Sequence, residues 1–181
     1  KLPGIDAKTF VIPNGYDEED FSSPSPASSG GFLVTYTGTL SGSYNITGFL
    51  KCLNALEKKG IKLTIRFIGS VQGEQQELLN SSVNNIRYIP YADHNTAIRY
   101  MRESSLLLLI IPDHPSNKSI ITGKLFEYLA SGKPILCIGP VDGDAAEIIS
   151  ATGHGISCSY NDYETMIDFI LNVTGGRVTD K

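Results

Sequence analysis

The sequence of 181 residues contains no apolar run near the ~20 residues that a membrane-spanning helix needs. Its longest, Leu106 to Pro112, is strand-sized. Positive charge is not in excess. Lys and Arg number 15 against 19 Asp and Glu, a net charge of -4, which argues against nucleic acid or an anionic lipid surface as an electrostatically driven partner. Cysteine is scarce and odd in number. Cys52, Cys137 and Cys158 form no C-x-x-C pair and no His/Cys cluster, so no metal site is expected, and each reads as a buried free thiol. Neither G-x-G-x-x-G nor GxxxxGK[ST] occurs, leaving a nicotinamide dinucleotide or a P-loop nucleotide without motif support. Asp142 and Asp144 have Asp-x-Asp spacing, but they precede a helical pattern, where capping accounts for them better than a metal does. No metal and no resident cofactor is expected.

What is present divides into three segments. Residues 1–21 hold a short strand pattern, "KTFVI", a "PNG" turn and the acidic stretch Asp17 to Asp20. Residues 22–31, "SSPSPASSGG", are a loop with nothing to bury. Residues 32–181 alternate regularly. The strands are "FLVTYTG", "IKLTIRFIG", "NIRYIPY", "LLLLIIP", "KPILCIG" and "GISCS", each followed by a helical pattern. In the first helix Phe49, Leu50, Leu53 and Leu56 line one face. Six strand–helix units predict an α/β fold, a parallel sheet between two layers of helices. The continuously apolar fourth strand should be buried on both faces. Ligands of such sheets bind outside the carboxyl ends of the strands, near the reversal of strand order.

Two strand-end segments stand out. "TGTLSGSYN" places Gly38 and Gly42 among hydroxyl residues, which suits either a close backbone approach to phosphate or a plain turn. "SIITGKLFEYLASGKPIL" begins a helix with Thr122 as N-cap, followed by Gly123 and Lys124. A cation in the first turn opposes the helix dipole, which is easier to understand if an anion binds there. Leu125, Phe126, Leu129 and Ala130 form the expected buried stripe, with Lys124, Glu127 and Ser131 on another edge. Lys124 and Glu127 also read as an exposed i, i+3 pair, and spacing does not decide between the two.

"FVIPNGYDEEDF", "LVTYTGTL", "LTIRFIGS", "IRYIPYADHNTAIRYMRESSLLLLI" and "TGKLFEYLASGKPIL" occur in this order, from about Thr9 to Ile170. Together they resemble the C-terminal half of a family 4 (group 1) glycosyltransferase of the two-domain GT-B fold. The resemblance implies a Rossmann-like three-layer α/β/α half with a six-stranded parallel sheet that binds a nucleotide diphosphate sugar. It implies that Glu127 holds the ribose hydroxyls and that Thr122, Gly123 and Lys124 approach the phosphates and sugar. It also implies that Gly38 and Thr39 form the phosphate-side loop. Tyr91, with Ile89 and Pro90, falls where the base is framed, although a half-buried strand-end aromatic explains Tyr91 equally well. Asn14 and Asp17 fall at the entry to the domain.

The departures lie at the reacting end. The family's first motif acid is Ser119 here; Asp113 and His114 stand on the same loop, with turn and capping roles as the alternative. Thr39 replaces a frequent arginine, and Tyr44 and Asn45 stand where a lysine is frequent. The resemblance further implies retention of configuration and a glycan or polysaccharide product. It implies an N-terminal acceptor domain of the same chain that carries the catalytic residues, and a cytoplasmic location, with the full protein at the inner face of the membrane. The alternatives are half of a GT-B nucleotide-sugar epimerase and a non-catalytic nucleotide-sugar-binding module.

Overall fold

In the computed structural model, residues 14–22 and 31–175 are described. Six strands alternate with six helices, as the periodicity predicts. They are β1 (Phe32–Thr37), α1 (Thr47–Lys58), β2 (Leu63–Ile68), α2 (Gly73–Ser82), β3 (Ile86–Ile89), α3 (His94–Glu103), β4 (Leu106–Ile110), α4 (Gly123–Ala130), β5 (Ile135–Ile138), α5 (Asp144–Thr152), β6 (Gly155–Cys158) and α6 (Tyr163–Val173). All pairings are parallel, in the order β3-β2-β1-β4-β5-β6. The chain builds outward from β1 to β3, crosses back, and builds the other way from β4. The reversal therefore falls between β1 and β4, and the loops leaving these two strands diverge there.

Each face of the sheet carries its own apolar layer. On one side Phe49, Leu53 and Leu56 of α1 and Met166 and Ile170 of α6 cover Val34, Ile65, Leu108 and Leu136. On the other, Ile98 and Met101 of α3, Leu125 and Tyr128 of α4 and Ile149 of α5 cover Leu107, Leu109, Ile135 and Cys137. All of β4 is buried, because helices cover both of its faces. The three cysteines are free and buried, as their apolar neighbours suggest. Beneath α3 the layer is polar. Buried Arg66 on β2 donates to Thr35 Oγ1 (3.2 Å), Glu103 Oε2 (3.2 Å) and the Tyr100 carbonyl, and its guanidinium lies 4.4 Å from the Tyr100 ring centre. A buried guanidinium needs this full set of acceptors, and the set fixes α3 to β1 and β2.

The "KTFVI" strand and most of the Ser/Pro/Gly loop lie outside the described residues. Residues 14–22 form a short 3-10 turn, Glu18–Phe21, whose N-cap Asp17 accepts from the Glu19 amide at 3.0 Å. Phe21 packs on the α3–α4–α5 layer, so this segment borders the strand-reversal end of the sheet. Among the described residues no helix is long and apolar enough to cross a membrane.

Candidate functional site

The β1 strand ends in a turn that three side chains hold in place. Tyr36 Oη donates to the Thr39 carbonyl at 2.8 Å, and the Gly38 amide donates to the Ile68 carbonyl at 2.7 Å. Gly38 has φ +108°, which a residue with Cβ rarely adopts. Next to it Gly69, φ +116°, leaves room for the Gly38 carbonyl, with which any Cβ would collide. Gly38 and Thr39, expected together as the phosphate-side loop, differ as donors: the Gly38 N–H is spent inside the sheet, whereas the Thr39 amide has no acceptor among the described residues.

Lys124 reaches across to this turn from α4. Its Nζ donates to the Thr37 carbonyl at 2.6 Å and to Tyr36 Oη at 3.3 Å, and it lies 4.4 Å from the Tyr36 ring centre. A Cβ on Gly38 would stand 2.8 Å from the ammonium. Burial brings the Lys124 pKa down to about 8, against the opposing field of Glu127. The surface pair is thus not formed: no ion pair joins Lys124 to Glu127 among the described residues. Helical spacing alone could not reveal this, because the partners of Lys124 lie 87 and 88 residues away.

Tyr128 is the residue that sequence reasoning missed. It is fully buried, and its hydroxyl accepts from the Thr37 amide (3.0 Å), contacts Thr37 Oγ1 (3.1 Å) and donates to the Leu108 carbonyl (3.3 Å). The β1–β4 ladder pairs Val34 with Leu106 and Thr35 with Leu107. Beyond these the strands part, and the tyrosine oxygen spans the gap. A buried tyrosine hydroxyl needs a partner, and that is the signal the sequence offered at Tyr128. The buried side of α4 is accordingly Leu125 and Tyr128, whereas Phe126, Leu129 and Ala130 are half-buried, and Ser131, expected on the open edge, is buried.

Thr122 is the N-cap residue, with extended backbone, but its hydroxyl makes no capping bond; Oγ1 is buried without a partner among the described residues. Gly123 is exposed, and its Cα faces the side-chain amide of Asn14. Glu127 lines a crevice of about 690 Å³ together with Gly15 to Asp20 and His94. There His94 Nε2 and Asp20 Oδ2 pair at 2.6 Å, and the bond to Asp20 raises the histidine pKa, with Glu127 and Asp17 adding to the effect. Tyr91 is 83% exposed on the loop after β3, not the half-buried strand-end aromatic considered from the sequence.

Ser119 lies exposed in a 3-10 turn, Asn117–Ser119, of the β4–α4 loop. Its neighbours are held locally. Asp113 accepts from Asn45 Nδ2 at 3.1 Å, and His114 Nδ1 accepts from the Ser116 amide at 3.2 Å. Asp142 pairs with Lys118, while Gly143 is the N-cap of α5 and uses no side chain, so the expected Asp142 capping is replaced by an ion pair. Among the described residues no group of three or more His, Cys, Asp or Glu is placed to hold a metal ion. The structure thus gathers Gly38, Thr39, Lys124 and the start of α4 at the strand reversal. Glu127 stands in the adjoining crevice, and Tyr91 and Ser119 on separate loops.

No family model and no curated protein sequence matches the chain. Solved structures do match, at sequence identities that speak to fold. The C-terminal domain of a group 1 family glycosyl transferase (LpcC) from Francisella tularensis superposes with TM-score 0.65 at 15% identity, covering 89% of this chain and 88% of that domain. An α,α-trehalose-phosphate synthase (UDP-forming) from Burkholderia vietnamiensis matches with TM-score 0.59 at 14% identity, over 80% of this chain and 37% of that one. A protein described as a UDP-N-acetylglucosamine 2-epimerase from Listeria monocytogenes gives TM-score 0.59 at 14% identity, over 88% and 39%. The fold is therefore one Rossmann-like half of the GT-B arrangement, and the chain spans well under half of the two longer proteins.

Proposed function

We propose that this chain is the donor-binding half of a glycosyltransferase that uses a nucleotide diphosphate sugar. The observation that carries the reading is the meeting, at the strand reversal, of an α4 N-terminus, a half-buried Lys124 ammonium and a β1 turn without side-chain obstruction at Gly38. Helix starts and fixed cations are suited to phosphate oxygens. As the sugar leaves, negative charge grows on the diphosphate, and donors already in place stabilise it. Glu127, in the adjoining crevice, accepts the ribose hydroxyls, and Thr122 Oγ1 is a buried oxygen ready for a ligand partner. Exposed Tyr91 is left to frame the base. The family resemblance adds retention of configuration and a glycan or polysaccharide product. It also assigns acceptor binding and the catalytic residues to a preceding domain, without which this half transfers nothing.

A thermal-shift panel with UDP, GDP, ADP and CMP tests this reading. A nucleotide at ~100 times its dissociation constant should add ~2.7 kcal/mol of stability. Glu127→Ala should weaken binding of the responding nucleotide by about ten- to a hundredfold, since hydrogen bonds to a charged group contribute ~1.5–3 kcal/mol. No shift with any of the four would defeat the proposal. The likeness to an epimerase supports a second reading, half of a nucleotide-sugar epimerase. Donor consumption by the full-length protein without any acceptor would favour it.

A further inference from the structure

Lys124 is a half-buried cation whose contacts among the described residues are all neutral: the Thr37 carbonyl, the Tyr36 hydroxyl and the Tyr36 ring. The residues around the β1 turn add no second cation, since Thr39, Tyr44 and Asn45 occupy its loop. A partly desolvated ammonium without a paired counter-ion is driven towards its neutral form. It is, however, only one residue inside the α4 start and stands against Gly38, at the place where the donor-site reading puts the diphosphate.

We propose that the nucleoside diphosphate supplies the counter-ion that Lys124 lacks, so that in alkaline solution each binding event takes up one proton at Lys124 Nζ. The balance is simple. A proton passes from a solvent or buffer acid to the lysine amine, and no bond to the ligand forms or breaks. The inference rests on the donor-site reading and adds a specific linkage to it. The groups facing the ammonium leave the alkaline window to Lys124. From β1, burial pushes the Tyr36 phenol far up; from α4, Tyr128 is pushed up to about 12, and Glu127 is a carboxylate that favours the charged amine. From the 14–22 segment Asn14, an amide, lies nearest the helix start. The lowered Lys124 pKa of about 8 agrees with the geometry. His94 senses Glu127 and titrates separately, so a His94→Gln background removes it.

Isothermal titration of UDP, GDP and ADP into the 181-residue chain, in buffer pairs of unlike ionisation heat between pH 7 and 9.5, is the test. Proton uptake should be small at pH 7 and approach one above pH 9. Affinity should fall towards tenfold per pH unit above about pH 8, the slope that one linked proton dictates. Lys124→Arg, which keeps the charge and cannot titrate here, should bind with no such slope. Binding without proton uptake in the wild type, or an unchanged slope in Lys124→Arg, overturns this inference and leaves the donor site standing. Binding of none of the three at any pH overturns both. If Lys124→Arg does not fold, the wild-type proton count alone decides.

Discussion

Replacing Tyr128 by phenylalanine removes one oxygen atom and leaves two buried backbone groups, the Thr37 N–H and the Leu108 carbonyl, without it. An orphaned buried polar group costs ~1–3 kcal/mol, so urea denaturation of Tyr128→Phe should show a loss in that range with an unchanged slope. The Thr37 hydroxyl also loses a partner, which places the expectation towards the upper end. Lys124 has the opposite kind of effect on folding. Its pKa is about 8 in the folded chain and ~10.4 when unfolded, so between these values the unfolded state binds more protons. Stability contributed through this group must then rise with pH across that window. Lys124→Met should remove the rise, and thermal melts of both proteins from pH 7 to 10 would show the wild type gaining on the variant. A wild type that falls behind instead would mean that the ammonium is not desolvated.

At the level of elements, the 14–22 segment is joined to the N-terminus of α3 through His94 and Asp20. The histidine pKa is raised, chiefly by the bond to Asp20. The attachment is therefore complete below the unfolded value near ~6.5 and is lost as pH rises through the higher folded value. The histidine side chain is 57% exposed, so solvent weakens the effect, and it should appear as local loosening rather than global unfolding. Limited proteolysis should cut near Tyr16 to Asp20 faster at pH 8.5 than at pH 6, and His94→Gln should abolish the difference. The elements themselves were readable in advance. Strand β4 is apolar along its length and α1 repeats its leucines at helical spacing, both local signals that survive in the folded chain. The connections between elements were not. Periodicity leaves Tyr128 out of the expected buried stripe and sets Lys124 beside Glu127, because it sees one helix surface at a time. Both side chains instead find partners on β1, a strand about 90 residues earlier that no spacing rule links to α4.

Taken as a whole, the sheet consists of two wings of three strands. Inside each wing neighbouring strands pair through four to six residues, whereas β1 and β4 pair through two. The seam between the wings coincides with the candidate site, and α4 supplies the atom that completes it. This has a consequence for hydrogen–deuterium exchange. The Thr37 amide belongs to a central strand, yet its acceptor is a side-chain oxygen on a helix. It can exchange whenever α4 lifts, without any opening of β1. In an exchange experiment followed by NMR, Thr37 should therefore keep time with the amides of α4, while Val34 and Thr35 keep time with the sheet. A ligand resting on the start of α4 should slow Thr37 and leave those two unchanged, so one deuterium on one strand records how often the wall of the crevice comes away.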